Sequence, residues 1–80
     1  VIANRPEYYP ILVAPLSADD GGGFLATVPD LPGCMGDGET PAEAIADVYL
    51  AIEAWMESAI EMGQSVPPPS KPDRIRTAVA

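Results

Sequence analysis

The sequence predicts an α+β fold: a three-stranded antiparallel meander, one long amphipathic helix, and a strand that returns at the C-terminus. Three observations carry that prediction. Two short β-prone apolar runs flank a cluster of turn residues, Ser17-Ala18-Asp19-Asp20-Gly21-Gly22-Gly23. A rigid Pro29-Asp30-Leu31-Pro32-Gly33 corner then turns the chain into a third short run. Finally, Thr40-Pro41-Ala42-Glu43 opens a stretch of helical periodicity that continues to Met62-Gly63.

Each element has a local cause. The first strand reads from Tyr8 to Leu16, with Pro10 and Pro15 assigning it to an edge or to strand ends, since proline cannot donate to a ladder. Phe24–Val28 is the second strand, joined to the first as a hairpin through the small, polar loop. Cys34–Gly38 is the third, thinned by its glycines. Thr40 is the helix N-cap, Pro41 occupies the first helical position, where its missing N–H does no harm, and Glu43 completes a Thr-x-x-Glu capping box. Wound at about 100° per residue, Ile45, Val48, Tyr49, Ile52, Trp55, Met56, Ala59 and Ile60 share one face. That face must cover the meander, which is otherwise an open sheet. Gly63 is the expected left-handed residue after the last turn. Residues 64–73 contain Pro67-Pro68-Pro69 and read as a stiff, extended connector. Residues 74–80 alternate weakly and read as the last strand, parallel to the first. Eighty residues make one domain, 1–80, divided into the meander and helix (7–63), the connector and the returning strand.

Charge and composition narrow the function. The net charge is −8, and between Arg5 and Lys71 no cation interrupts eleven carboxylates. Such a body repels phosphate backbones and anionic lipid, so neither nucleic acid nor membrane is an expected partner, whereas a basic protein would be drawn to it. No leader and no membrane-spanning run is recognisable, and a lone Cys34 fits a reducing cytoplasm. The sequence has no histidine, the commonest general base and metal ligand.

No enzyme is predicted, and no cofactor or metal. Carboxylates that hold divalent ions on a sheet would have to project at positions such as Ile11, Val13, Leu25 and Thr27, which are apolar or neutral. Cys34 has no basic neighbour in sequence to generate thiolate and reads as a small buried residue. Gly33 and Gly38 match no phosphate-binding fingerprint and read as turning residues. Trp55 reads as a core residue whose indole N–H needs a partner. The candidate partner-binding surface is the polar side of the helix: Glu43, Asp47, Leu50, Glu53, Glu57 and Glu61. Leu50 falls among these carboxylates and has the form of an apolar anchor with a charged rim.

Phe24, the run Pro29-Asp30-Leu31-Pro32-Gly33-Cys34, Gly38-Glu39-Thr40, Glu43-Ala44, Ala51-Ile52, Trp55 and Pro67-Pro68-Pro69-Ser70 together resemble the HicB family of antitoxins. The similarity covers most of the chain, from about Tyr9 to Ser70. It implies a partial ribonuclease H-like fold, β-β-β-α-β, with Pro29, Asp30, Leu31, Pro32, Gly33 and Thr40 as structural motif residues. It also implies a partner: a small basic HicA-like toxin that cleaves mRNA, whose active site the antitoxin covers. Many family members carry a C-terminal DNA-binding domain, and the ten residues after Ser70 are too few for one. The chain is also expected to form a homo-oligomer, a dimer or tetramer, and two other readings stand beside the antitoxin: a stand-alone HicB-like oligomeric scaffold or regulator without a toxin, and a degenerate ribonuclease H-like nuclease.

Overall fold

Glycine decides how this sheet and helix meet. The computed structural model describes residues 5–70. The predicted final strand, 74–80, lies outside the described residues, as does the end of the connector. A 3₁₀ turn at Pro6–Tyr8 leads into β1 (Leu12–Pro15), a second 3₁₀ turn at Ala18–Asp20, β2 (Phe24–Thr27), β3 (Met35–Gly38) and α1 (Pro41–Glu61). The strands form one antiparallel sheet in the order β1-β2-β3, as the meander requires.

Register assigns the two faces. Val13, Ala26 and Gly36 lie opposite one another across the sheet, as do Leu12, Thr27 and Met35 in the next row. Successive side chains alternate between faces, so these rows belong to opposite sides. The first row lies under α1: Ala26 and Gly36 are buried, and a Cβ built on Gly36 would stand 2.5 Å from the backbone nitrogen of Val48. Gly38 is equally tight, with 2.7 Å to the backbone nitrogen of Ala44. Both have ordinary negative-side backbones and neither turns the chain. Gly38 therefore serves close helix approach, correcting its reading as a turning residue. The same register corrects the positions scanned for metal-binding acids, because Leu25 and Thr27 face away from the side that Val13 occupies.

The core lies between this row and the helix: Ala26, Val28, Leu31, Cys34, Ala44, Val48 and Ile52, closed at one end by Tyr9. Leu31, Ile52 and Val48 are its largest fully buried side chains, each contributing roughly 1.5–3 kcal/mol by burial. Ala59 is buried as its place on the predicted face implies, and Ala44, which is not among the residues predicted there, is buried too. Ile60, predicted on the covered face, is 68% exposed.

The helix ends follow the predicted chemistry. The Glu43 N–H donates to Thr40 Oγ1 at 3.2 Å. At the other end, Gln64 N–H donates to the Ala59 carbonyl and Gly63 N–H to that of Ile60, with Gly63 at φ +72°. This is a Schellman closure.

Two expectations change. The first strand is shorter than Tyr8–Leu16, because Tyr8 and Tyr9 N–H groups turn back onto the Arg5 and Pro6 carbonyls and Pro10 has no N–H to offer a ladder. The start of the connector is not a free spacer: the Tyr9 hydroxyl donates to the Pro67 carbonyl, and both Ser70 N–H and Ser70 Oγ–H donate to the Asp30 carboxylate, at 2.7 and 2.5 Å.

Candidate functional site: the acidic face of the helix

The predicted surface residues Glu43, Asp47, Leu50, Glu53, Glu57 and Glu61 are all exposed along α1. They divide into two groups. Glu43 Oε1 accepts a hydrogen bond from the Glu39 N–H at 2.9 Å, one residue before the N-cap, so its carboxylate reaches past the usual capping-box donor. Asp47 Oδ2 accepts from the Asp37 N–H at 3.0 Å. These two carboxylates fasten the helix to β3. Glu53, Glu57 and Glu61 have no hydrogen-bond or salt-bridge partner among the described residues, where the one ion pair is Arg5–Glu7, a surface contact. Leu50 stands among them with 65% of its surface exposed. Its neighbours one turn away on either side of that face are Asp47 and Glu53, so an exposed apolar side chain stands within an acidic surface.

The Pro29–Gly33 motif supports that helix from below. Leu31 N–H donates to the Val28 carbonyl and Cys34 N–H to the Leu31 carbonyl, giving two linked turns. Gly33 has φ +80° after Pro32, the requirement of a type II turn. The turns drive Leu31 wholly into the core and present the Pro32 carbonyl to the Trp55 indole N–H at 3.0 Å. Trp55 packs against the core and has found its partner. Asp30, on the same corner, holds Ser70. The motif thus positions the helix and the tail at once.

The contacts of Tyr9 with Pro67 and of Ser70 with Asp30 had no sequence signal, although Ser70 stood in the family pattern, because no local pattern links residues forty or more positions apart. Gly36 and Gly38 had a readable signal: glycines at i and i+2 in a strand leave one face bare for a close neighbour.

Burial, and secondly the negative charge of Asp30, push the Tyr9 phenol above its ordinary value. Burial likewise pushes the Cys34 thiol up, opposite to what a nucleophilic cysteine requires. Among the described residues no three His, Cys, Asp or Glu side chains are grouped as a metal ion needs. No helix among them is long and apolar enough to cross a membrane.

Fold and surface define a small α+β domain built on a meander and a single covering helix, with an acidic exposed face. The family model for the HicB-like antitoxin of bacterial toxin–antitoxin system matches residues 9–79. The chain belongs to that family. It is 36% identical over 59 residues to a UPF0150 protein of Synechocystis sp., covering 74% of this chain and 77% of that one. A UPF0150 protein of Thermoplasma acidophilum is 35% identical over 52 residues, 65% of this chain and 75% of its own. A second Synechocystis UPF0150 protein is 40% identical over 50 residues, 62% and 69% of the two chains.

Proposed function

We propose that this chain is the neutralising half of a toxin–antitoxin pair. It binds a small, basic, HicA-like mRNA-cleaving toxin and covers its active site, with no chemistry, cofactor or nucleic-acid contact of its own, in the cytoplasm. The observation that carries the reading, beside family membership, is the outward side of α1: Leu50 at 65% exposure on the face that also carries Asp47, Glu53 and Glu57. An mRNA-cleaving partner needs positive charge to hold its substrate, and that charge is what this face attracts. Tight complexes of this kind bury about 1,600 Å² in total, so the helix face would supply only the centre of a larger contact.

Co-expression with a short, basic, histidine-bearing reading frame beside the gene tests the proposal. Growth should be rescued by the natural chain and not by a variant carrying Leu50→Asp, Glu53→Lys and Glu57→Lys. Unrelieved toxicity with the natural chain refutes it.

A second reading is a HicB-like scaffold that assembles as a dimer or tetramer without a toxin. The uncovered side of the sheet favours it, because Leu12 and Met35 lie there in one row at 62% and 52% exposure. Sedimentation of the purified chain separates the two, since only the scaffold requires a stable oligomer when no partner is present.

A further inference from the structure

The β3 strand carries an edge liability created by its own packing. Gly36 and Gly38 must lack side chains for α1 to come within contact distance of the sheet. Shortness and the Asp37 charge blunt this edge only in part, because its two glycines and exposed Met35 put no bulk in the way of another strand. In the antiparallel ladder with β2, Val28 N–H donates to the Cys34 carbonyl, so Cys34, Gly36 and Gly38 turn their backbone groups toward β2. The alternate residues Met35 and Asp37, and Glu39 one residue past the strand, turn theirs outward. Two of those outward N–H groups are already taken: Asp37 by Asp47 Oδ2 at 3.0 Å and Glu39 by Glu43 Oε1 at 2.9 Å. Asp47 and Glu43 stand four residues apart, on one side of the helix, and their targets stand two apart along the strand. One turn of helix, about 5.4 Å, thus matches two strand residues, about 6.7 Å.

We propose that Asp47 and Glu43 guard the β3 edge, occupying its outward N–H groups so that the edge of a second copy of this chain cannot pair there. Each guard works in two ways. Its oxygen fills the donor that an incoming strand would need, and its charge sets a carboxylate in the path of an equally acidic molecule. Without the guards, β3 of one copy and an edge of the next form a head-to-tail contact, which does not close and grows into open assemblies. This role is independent of any toxin. It also removes Glu43 and Asp47 from the surface left to a partner.

The full chain tests the proposal through substitutions that separate acceptor from charge. Asp47→Ala with Glu43→Ala removes the oxygens, whereas Asp47→Asn with Glu43→Gln keeps an amide oxygen in each position. Thr40→Ala weakens the helix start without opening the edge and controls for lost stability. Sedimentation velocity across a concentration series, with amide hydrogen exchange, gives the readout. The alanine pair should at least double its weight-average mass at high concentration, and at dilution, before it associates, its Asp37 and Glu39 amides should exchange about tenfold faster than in the natural chain. The amide pair and Thr40→Ala should keep the natural mass. If the alanine pair fails to fold, Asp47→Ala alone makes the same comparison at Asp37. The proposal falls if the alanine variant keeps the natural mass, or if Thr40→Ala or the amide pair associates as strongly.

Discussion

Replacing Gly36 with alanine adds one methyl group at the closest approach between sheet and helix. Its carbon would stand 2.5 Å from Val48 N, 2.8 Å from Val48 Cα and 2.9 Å from the Asp47 carbonyl carbon. Ordinary contact begins at 3.4 Å, so α1 must withdraw by about 0.9 Å locally. The obstacle is backbone, which cannot swing aside as a side chain can. Overpacking a core costs about 1–3 kcal/mol, and a rigid obstacle places this change near the top, at about 3 kcal/mol. For a domain of this size that amounts to a fall in Tm of roughly 12–24 °C. Total stability at this length is about 4–12 kcal/mol, so the loss is a large share. Gly22→Ala is the matched control. Nothing lies within 4 Å of its added carbon, but its φ of +72° penalises alanine by about 1–2 kcal/mol through the backbone alone. Urea unfolding of both variants, followed by circular dichroism, decides the matter. A Gly36→Ala protein within about 0.5 kcal/mol of the natural chain, or more stable than Gly22→Ala, would refute the close-approach argument.

Other expectations follow from particular contacts. Asp30→Ala removes both acceptors of Ser70 and should lower stability by about 1–2 kcal/mol while releasing the tail to protease near Ser70, read by limited digestion. Stability should fall as pH rises from about 10: the unfolded chain loses the Tyr9 proton first, the native state still holds it, and the linkage slope is negative there. Tyr9→Phe should flatten that alkaline loss in urea titrations, leaving the share due to Cys34, whose raised thiol pKa acts in the same direction. Leu31→Ala should cost about 2–5 kcal/mol by leaving a cavity under the corner, measured by thermal unfolding.

Local signals made much of this fold legible. Thr40, Pro41 and Glu43 marked the helix start, and Gly63 its end, because capping is satisfied by residues within one turn. Gly33 marked the type II corner for the same reason. The misses share a different cause. Ile60 has the right phase for the covered face, but phase does not say how far the sheet extends beneath the helix. Leu31 looked like one residue of a turn, and only the two linked turns drive it into the core. The polyproline segment looked like a spacer because its anchors, Tyr9 and Asp30, are far away in sequence. For the candidate surface, periodicity collected the exposed residues of one helix face but could not separate carboxylates bonded to β3 and its end from those without a partner among the described residues. That separation depends on which strand edge lies alongside the helix, a tertiary fact.

The division of the carboxylates connects the packing to the proposed binding. Because Gly36 and Gly38 let α1 lie directly on β3, its first two turns come near enough for Glu43 and Asp47 to reach the strand's outward amides. The later turns pass beyond that short strand, and Glu53, Glu57 and Glu61 have no partner among the described residues. On the proposed function, a partner's cations would meet the later half of the helix. Neutralising Glu53 and Glu57 should slow association with a basic partner and flatten its dependence on salt, since exposed charges act through long-range steering. If the proposed docking centres on the later turns, neutralising Glu43 and Asp47 as Gln and Asn should change that rate less per charge, because their charges, though intact, lie on average farther from it. Stopped-flow association at two ionic strengths distinguishes the halves. Equal effects from both pairs would mean that the whole acidic body steers the encounter, and the surface around Leu50 would lose its special claim.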